Sequence, residues 1–331
     1  MTKFSSLALT GLTFVGMAVS ASADSLDRAG SLLVYPLFDN TRGGIFTITV
    51  TNTNNDSQAG TVDVEFVYIN GHNCLEFNRT RRLTPNDTIT VITRQDNPNM
   101  TEGYVYVFAK NKNTGKATKW DYLIGDSFIS TPDLLGGVDF APVVFKAGAA
   151  LAAGADTDLD NDTVRDLNGL EYEQVSDKLL VPRFISDNDG LSQPELILIG
   201  LTGAQFTTIV DFLVYNDNEE AFSAQYAFDC WDRVQLKTVN GAFTDAFLDT
   251  TNDAAGEFLP FVPGTDVETG WFRMDASIAY STAQSVNNPA FLACRIDRLL
   301  IGLSAVASLP YGEGEQANGD LVKHGPFADT N

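Results

Sequence analysis

Residues 45–51 read Ile-Phe-Thr-Ile-Thr-Val-Thr, and residues 62–68 read Val-Asp-Val-Glu-Phe-Val-Tyr. Apolar and polar side chains alternate in both stretches, and β-branched residues dominate the first. Between them, residues 52–57 are Asn-Thr-Asn-Asn-Asp-Ser, a cluster of turn-forming residues. The pattern predicts two strands joined by a turn, each with one face toward a core.

The same kind of segment recurs along the chain. Residues 88–92 and 104–109 are further β-prone runs, and Pro, Asn and Asp separate them. Amphipathic helical periodicity is nearly absent. Short strands with frequent turns predict an all-β fold of antiparallel sandwiches rather than an α/β fold.

Motifs of the first half return in the second half in the same order, which indicates an internal duplication. The distance between matching motifs grows along the chain, as expected if the second copy gained loop insertions. The matched pairs are Leu32-Leu33-Val34 with Leu179-Leu180-Val181, Val64, Phe66 and Asn70 with Val210, Phe212 and Asn216, Cys74 with Cys230, Gly103 with Gly270, and Leu123-Ile124-Gly125 with Leu300-Ile301-Gly302.

Two sandwich domains follow from this repeat. We expect the first over residues 24–130 and the second over residues 178–310. Residues 131–177 form an acidic connecting segment, and residues 311–331 form a polar C-terminal tail. Each repeat has the size of an immunoglobulin-like sandwich.

Two motifs of the first repeat carry a resemblance to a known class of module. The run Ile48-Thr49-Val50-Thr51-Asn52-Thr53-Asn54 and the turn Leu83-Thr84-Pro85-Asn86-Asp87 are similar to those of bacterial secreted Ig-like β-sandwich modules. The resemblance implies two tandem Ig-like domains on a scaffold that displays or binds. It assigns no catalytic residue to this chain.

The N-terminus has the pattern of a secretory signal peptide over residues 1–23. Lys3 precedes an apolar stretch from Phe4 to Val19, and Ala21-Ser22-Ala23 offers small residues for cleavage. We therefore expect an exported protein, extracellular or on the outer cell surface, with the periplasm as an alternative. No later segment is long and apolar enough to span a bilayer as a helix.

The formal net charge is −22. Such a charge argues against binding to nucleic acid, whose phosphates require a basic face. It argues equally against electrostatic binding to anionic lipid. The partners that we expect are other surface or matrix proteins or glycans, and self-association is a further expectation.

The densest constellation of chemical groups is the acidic run at residues 156–166. Alternating acids on one loop bring several carboxylate oxygens together, which is what Ca²⁺ requires. Thr163 stands where Gly would ease the turn, and Gly169 stands where a bidentate Glu is expected, so Glu171 or Glu173 would have to substitute. The alternative is a solvated acidic linker. The candidate ligands are Asp156, Asp158, Asp160, Asp162 and Asp166.

Three cysteines in an exported chain predict one disulfide and one leftover thiol. The sequence favours Cys230 with Cys294, because both lie in the second repeat. The rival pairing is Cys74 with Cys230, which would cross between the repeats.

The sequence favours a non-enzymatic surface protein with an adhesive, structural or matrix-assembly role. It contains two histidines and no His-Glu-x-x-His, Cys-x-x-Cys or Gly-x-Ser-x-Gly motif. One alternative is a secreted carbohydrate-binding module or glycoside-acting enzyme, for which Trp120, Trp231 and Trp271 would have to be exposed rather than packed in the core. Another is a filament subunit that donates the strand at Gly30–Leu37 to a neighbour.

Overall fold

The computed structural model is an all-β protein of antiparallel sheets. The expected leader at residues 1–23 lies outside the described residues. The structure describes residues 28–41, 43–130, 137–188, 191–216, 218–249, 268–300 and 304–322.

The described residues of the first half form nine strands and one short helix. They are β1 (Leu32–Asp39), β2 (Ile45–Asn52), β3 (Val62–Asn70), β4 (Glu76–Leu83), β5 (Thr88–Ile92), α1 (Thr93–Asp96), β6 (Glu102–Lys110), β7 (Leu123–Ser130), β8 (Val138–Phe140) and β9 (Val143–Phe145).

The short strand β10 (Asp166–Leu167) precedes the elements of the second half. These are β11 (Val175–Ile185), β12 (Ser192–Gly200), β13 (Thr207–Tyr215), β14 (Ala221–Phe228), β15 (Trp231–Gln235), α2 (Leu236–Val239), a 3-10 helix (Gly241–Phe243), α3 (Asp245–Leu248), β16 (Thr269–Tyr280), β17 (Ser285–Asn287), β18 (Phe291–Leu299), β19 (Ser304–Ser308), β20 (Tyr311–Ala317) and β21 (Gly319–Asp320).

The strands of the described ranges form four main sheets. Sheet I has the order β5-β2-β7-β8, and sheet II has the order β4-β3-β6-β1-β9. Sheet III has the order β15-β12-β18-β19, and sheet IV has the order β14-β13-β16-β11-β20, with β17 beside β16. The orders of sheets III and IV match those of sheets I and II strand for strand.

Two core clusters link the sheets: residues of sheets I, II and III form one, and residues of sheets III and IV form the other. Strand β12 shows this most directly, because its alternate side chains enter different cores. Ile197 and Ile199 join the core cluster that sheets I and II build, whereas Leu196 and Leu198 join the cluster that sheet IV completes. Sheets II and III are therefore covered on both faces.

The number of covered faces explains why some strands alternate between buried and exposed residues and others are buried throughout. The outer strand β2 alternates between buried and partly exposed residues, as a strand with one solvated face must. Every residue of the inner strand β1 is buried, and nearly every residue of β12 is buried. In β3 the predicted face of Val62, Val64, Phe66 and Tyr68 is buried, and Val67 and Ile69 on the other face are buried too.

Two predicted boundaries are wrong. Strands β8 and β9 belong to sheets I and II, although the sequence assigns them to the connecting segment. Strand β20 is an edge of sheet IV, although the sequence assigns residues 311–317 to a polar tail. These segments are short or polar edge strands, so they lack the apolar alternation that marks a strand in sequence.

Both halves carry the same irregularity in their first strand. The register of β1 against β6 shifts between Tyr35 and Phe38, and that of β11 against β16 shifts between Val181 and Phe184. A proline lies inside each shift, where no ladder hydrogen bond is lost. After it, Phe38 pairs with Gly103 and Phe184 pairs with Gly270, and the sequence repeat matches these two glycines.

Three other matches from the sequence do not correspond residue for residue in the fold. Leu179 takes the place of Leu33 rather than Leu32, because it pairs four residues past Gly270 as Leu33 pairs four residues past Gly103. Cys74 lies in the β3–β4 turn, whereas Cys230 lies in the β14–β15 turn. Gly125 lies inside β7, whereas Leu300 follows the end of β18 and Gly302 is outside the described residues. Isolated identities between β-rich segments arise easily, because turns reuse a few residue types.

Polar contacts join sheets II and III. The indole Nε1 of Trp231 donates to the carbonyl of Pro36 at 2.9 Å. A Cβ at Gly71 would lie 2.2 Å from the ring of Trp231, so only glycine fits in this turn. The guanidinium of Arg233 donates to Asp39 at 2.7 Å.

The segment Gly30–Leu37 is used within its own fold. It supplies most of β1, which pairs with β6 on one side and β9 on the other. A strand paired on both sides is not available to a neighbouring subunit, so the structure does not favour the strand-donating role. Among the described residues, no helix is long and apolar enough to cross a membrane.

Candidate metal centre

The acidic run lies between β9 and β11, in a segment that packs against the connection between β6 and β7. The amide of Lys119 donates to the carbonyl of Ala155 at 2.8 Å, and the amide of Gly154 donates to the carbonyl of Lys119 at 3.0 Å. The hydroxyls of Thr157 and Tyr172 lie 2.8 Å apart and close the base of the loop. These contacts fix both ends of the acidic segment.

Aspartates within the loop shape its backbone. The carboxylate of Asp160 accepts the amide of Asp162 at 3.2 Å, and that of Asp162 accepts the amide of Val164 at 2.7 Å. Such contacts two residues apart are Asx turns. Thr163 has φ 69°, so it adopts the left-handed conformation for which the sequence pattern expects glycine.

Three carboxylates converge. Ligand oxygens of Asp158, Asp160 and Glu171 all lie within 4.8 Å of one another. Glu171 is buried, and its two oxygens accept the amides of Leu159 and Asp166. Its position is therefore set by the loop that it faces.

Like charges and burial make this cluster costly without a counter-ion. Burial, followed by the nearby carboxylates of Asp320, Asp162 and Asp160, raises the pKa of Asp166 to about 6. Burial also raises the pKa of Glu171 to about 7, which outweighs the two amide hydrogen bonds that lower it. A divalent cation would offset both the burial of these carboxylates and their mutual repulsion.

Basic side chains already neutralise part of the loop. Arg165 Nη2 lies 3.1 Å from one oxygen of Asp158, and Lys116 Nζ lies 2.7 Å from Asp156. The other oxygen of Asp158, Oδ1, is buried and has no hydrogen-bond partner among the described residues. That oxygen is an available ligand.

The structure divides the predicted ligands. Asp158 and Asp160 come together, whereas Asp156 pairs with Lys116. Asp162 and Asp166 share their environment with Asp320, because β10 pairs with β21 and places Asp166 opposite Asp320.

Of the two substitutes that the sequence offers for the missing ligand, Glu171 joins the cluster. Glu173 instead forms an ion pair with Arg28 at 3.0 Å. Sequence reasoning missed Asp320. It could not have found this residue, because no local spacing links the C-terminal strand to the loop.

The residues present fit a hard cation. Ca²⁺ takes six to eight oxygen ligands, and carboxylates can supply two each. Asp158, Asp160 and Glu171 offer three such groups, with Asp166 and Asp320 close by on the adjoining strand pair.

The disulfide joins Cys74 to Cys230, so the favoured pairing of Cys230 with Cys294 is wrong. Cys294 is free and fully buried in β18, and burial raises the pKa of its thiol to about 12. The turns that carry Cys74 and Cys230 meet because sheets II and III stack on each other. Sequence proximity within a repeat does not reveal that contact.

The three tryptophans lie in different environments. Trp231 is buried, and the indole of Trp120 donates to Asn52 at 3.0 Å. Trp271 is 37% exposed on the outer face of sheet IV, and its ring stacks on Tyr215 with 4.0 Å between centroids.

Comparisons with known proteins identify no family. No family model matches the chain, and no curated protein matches it. Among solved structures, the chain aligns with one from the cryo-EM atomic structure of Broad Bean Stain Virus at 10% identity. The alignment covers 94% of this chain and 97% of that chain, but its TM-score of 0.19 carries no argument about fold or function.

Proposed function

We propose that this chain is an exported structural or adhesive protein of the cell surface, built from two Ig-like sandwiches and stabilised by calcium. The observation that carries the proposal is the acidic loop, where Asp158, Asp160 and Glu171 lie within 4.8 Å of one another. The leader pattern and the Cys74–Cys230 disulfide support export, because disulfides persist in oxidising compartments. Extracellular fluids also supply calcium.

The two sandwiches derive, in this proposal, from an internal duplication. The matching strand orders and the matching register shifts in β1 and β11 support it. When the strands of each sandwich are counted from its first strand, with β17 left out, the second lies beside the fifth and the third beside the sixth. The immunoglobulin arrangement has the same two neighbour pairs. The first strand also lies beside the sixth, and the seventh lies beside the second. These two neighbour pairs are absent from the immunoglobulin arrangement.

Calcium should stabilise the mature protein. Adding 1 mM Ca²⁺ to protein treated with EDTA should raise Tm by several degrees, because an ion that binds only the folded state shifts unfolding by mass action. Asp158→Ala with Asp160→Ala should abolish the shift. Glu313→Ala with Glu315→Ala on the exposed strand β20 is the matched control, and it should keep the shift. An unchanged Tm in the wild-type protein would contradict the calcium site.

The cellular role has a separate test. Fractionation of cells should place the processed protein outside the cytoplasm, in a form that lacks residues 1–23. Removal of the gene should alter surface adhesion or matrix assembly. A processed protein that remained in the cytoplasm would overturn the assignment to the surface.

A glycan-binding role is the second candidate, and the exposure of Trp271 favours it. A glycan array probed with wild-type protein should then show binding that Trp271→Ala removes. Trp120→Ala is the control, because that indole is hydrogen-bonded to Asn52. Equal binding by both variants would exclude the Trp271 surface.

A further inference from the structure

Strand β14 (Ala221–Phe228) is an edge strand of sheet IV with the sequence Ala-Phe-Ser-Ala-Gln-Tyr-Ala-Phe. Its eight residues include no charge, proline or glycine, and its register against β13 is continuous. Among the described residues, no strand pairs with its outer side. Such an edge presents a row of backbone donors and acceptors to any extended chain.

Other edges carry features that discourage pairing. Strand β9 has three residues, and Arg28 donates to its Val144 carbonyl at 2.7 Å. Strand β20 contains Glu313 and Glu315, and Gly314 has φ 83°. Strand β15 carries adjacent charges, and β5, β8 and β19 have five residues or fewer. Shortness, charge and bends are the usual protections of an edge.

Strand β4, the edge strand of sheet II, occupies the position equivalent to β14 and carries charged residues. In β4, Arg79 lies opposite Phe66 and Arg81 lies opposite Val64, on the core-facing side. Both contact Asp96 at the end of α1. Inward-pointing charges of this kind guard an edge against added strands.

Strand β14 lacks that guard. The residues opposite Phe212 and Val210, which match Phe66 and Val64, are Ala224 and Tyr226. The last residue of α2, in the place of Asp96, is Val239. The second sandwich has therefore replaced a charged edge with an uncharged one.

The core beneath this edge is incompletely covered. Phe222 lies opposite the buried Val214, yet it remains 43% exposed. Its ring contacts Phe247 with 5.7 Å between centroids, and nothing described covers its outer side. An added strand with an apolar side chain at this level would complete the core.

Charges at the two ends of β14 restrict the partner. Glu219 and Glu220 precede the strand, and Asp229 follows it. An antiparallel copy of β14 would bring these acids opposite one another, which is destabilising. The net charge of −22 also disfavours a second copy of the chain. The edge instead suits a strand with an apolar alternation and basic ends.

We propose that β14 is a docking edge for an extended segment of another protein, one that adds a strand to sheet IV and carries basic residues at both ends. Backbone hydrogen bonds to β14 would provide affinity. Apolar contact with Phe222 and ion pairs with the terminal acids would fix the register.

The test uses the mature protein and fluorescein-labelled peptides. The probe is Lys-Lys-Val-Thr-Val-Thr-Val-Thr-Lys-Lys. One control peptide has glutamate in place of all four lysines, and another has proline in place of the central valine. We expect the probe to bind at least tenfold more tightly than either control, and less tightly as salt rises. Hydrogen exchange should then show new protection at residues 221–228.

Variants locate the binding to this edge. Ser223→Lys, at an exposed position of β14, should weaken probe binding at least tenfold. Gln316→Lys on the guarded strand β20 makes the same charge change on another edge and should leave binding unchanged. Glu219→Gln with Asp229→Asn should reduce both the affinity and its salt dependence.

Three results would overturn the proposal. The first is equal binding of the basic and acidic probes. The second is new protection outside β14. The third is concentration-dependent self-association in sedimentation that Ser223→Lys abolishes, since it would assign the edge to a second copy of the chain.

Discussion

The carboxylate of Asp39 shows how one side chain can join two stacked sheets. It lies at the end of β1, and it accepts the Arg233 guanidinium of β15 and both the amide and the hydroxyl of Thr41. Burial alone would raise the pKa of Asp39, but these hydrogen bonds and the charge of Arg233 hold it below its ordinary value. Its negative form is therefore the one that stabilises the fold.

The sign of the pH dependence follows from this lowered pKa. The contribution of Asp39 is fully present above pH of about 4 and is lost as the pH falls through its lower folded-state pKa. Asp39→Asn should cost about 3 kcal/mol of unfolding free energy at pH 7, because it leaves a buried arginine partly uncompensated. The difference between the two proteins should shrink below pH 4. Urea unfolding across pH 7 to pH 3 measures it.

The matched control is Asp63→Asn, which breaks the exposed pair with Arg82. An exposed pair contributes less than about 1 kcal/mol. Equal losses for the two variants would contradict a special role for the buried ion pair.

At the scale of elements, two turns carry the covalent link between the halves. The β3–β4 turn holds Cys74, and the β14–β15 turn holds Cys230, with 156 residues between them in sequence. A long closed loop removes much entropy from the unfolded chain. Cys74→Ser with Cys230→Ser should therefore lower the unfolding free energy by about 3–5 kcal/mol in urea titrations.

Cys294→Ser is the control for that experiment, because its thiol takes no part in the link. It should lower stability only through its buried position. The native protein should also resist alkylation, since burial raises the pKa of Cys294 to about 12. Rapid alkylation of a cysteine in the native protein would contradict the Cys74–Cys230 disulfide with a buried Cys294 thiol.

At the scale of the whole molecule, sheets II and III join the two halves of the chain through a shared core. One core cluster contains residues of sheets I, II and III, including Ile197 and Cys294 from the second half. Independent domains would bury little apolar surface between them. Here that surface is part of the core.

Calorimetry of the mature protein should accordingly show one unfolding transition whose calorimetric and van't Hoff enthalpies agree. Ile199→Asp, in the face of β12 toward sheet II, should lower Tm for the whole molecule, because it buries an unpaired charge. Exposed Thr282→Asp, in the turn between β16 and β17, is the control and should be nearly neutral. Two separated transitions would contradict the shared core.

The sequence by itself determined the all-β class, the strands that alternate and the acidic loop, because these are local patterns. Period-two alternation in β2 and turn residues at 52–57 act over a few neighbours. The order of sheets, the partner of Cys230 and the approach of Asp320 to Asp166 were decided only by the tertiary structure. These three features depend on which sheet faces pack together. Strands buried on both faces have no alternation of apolar and polar residues, so their sequence does not show which face meets which neighbour.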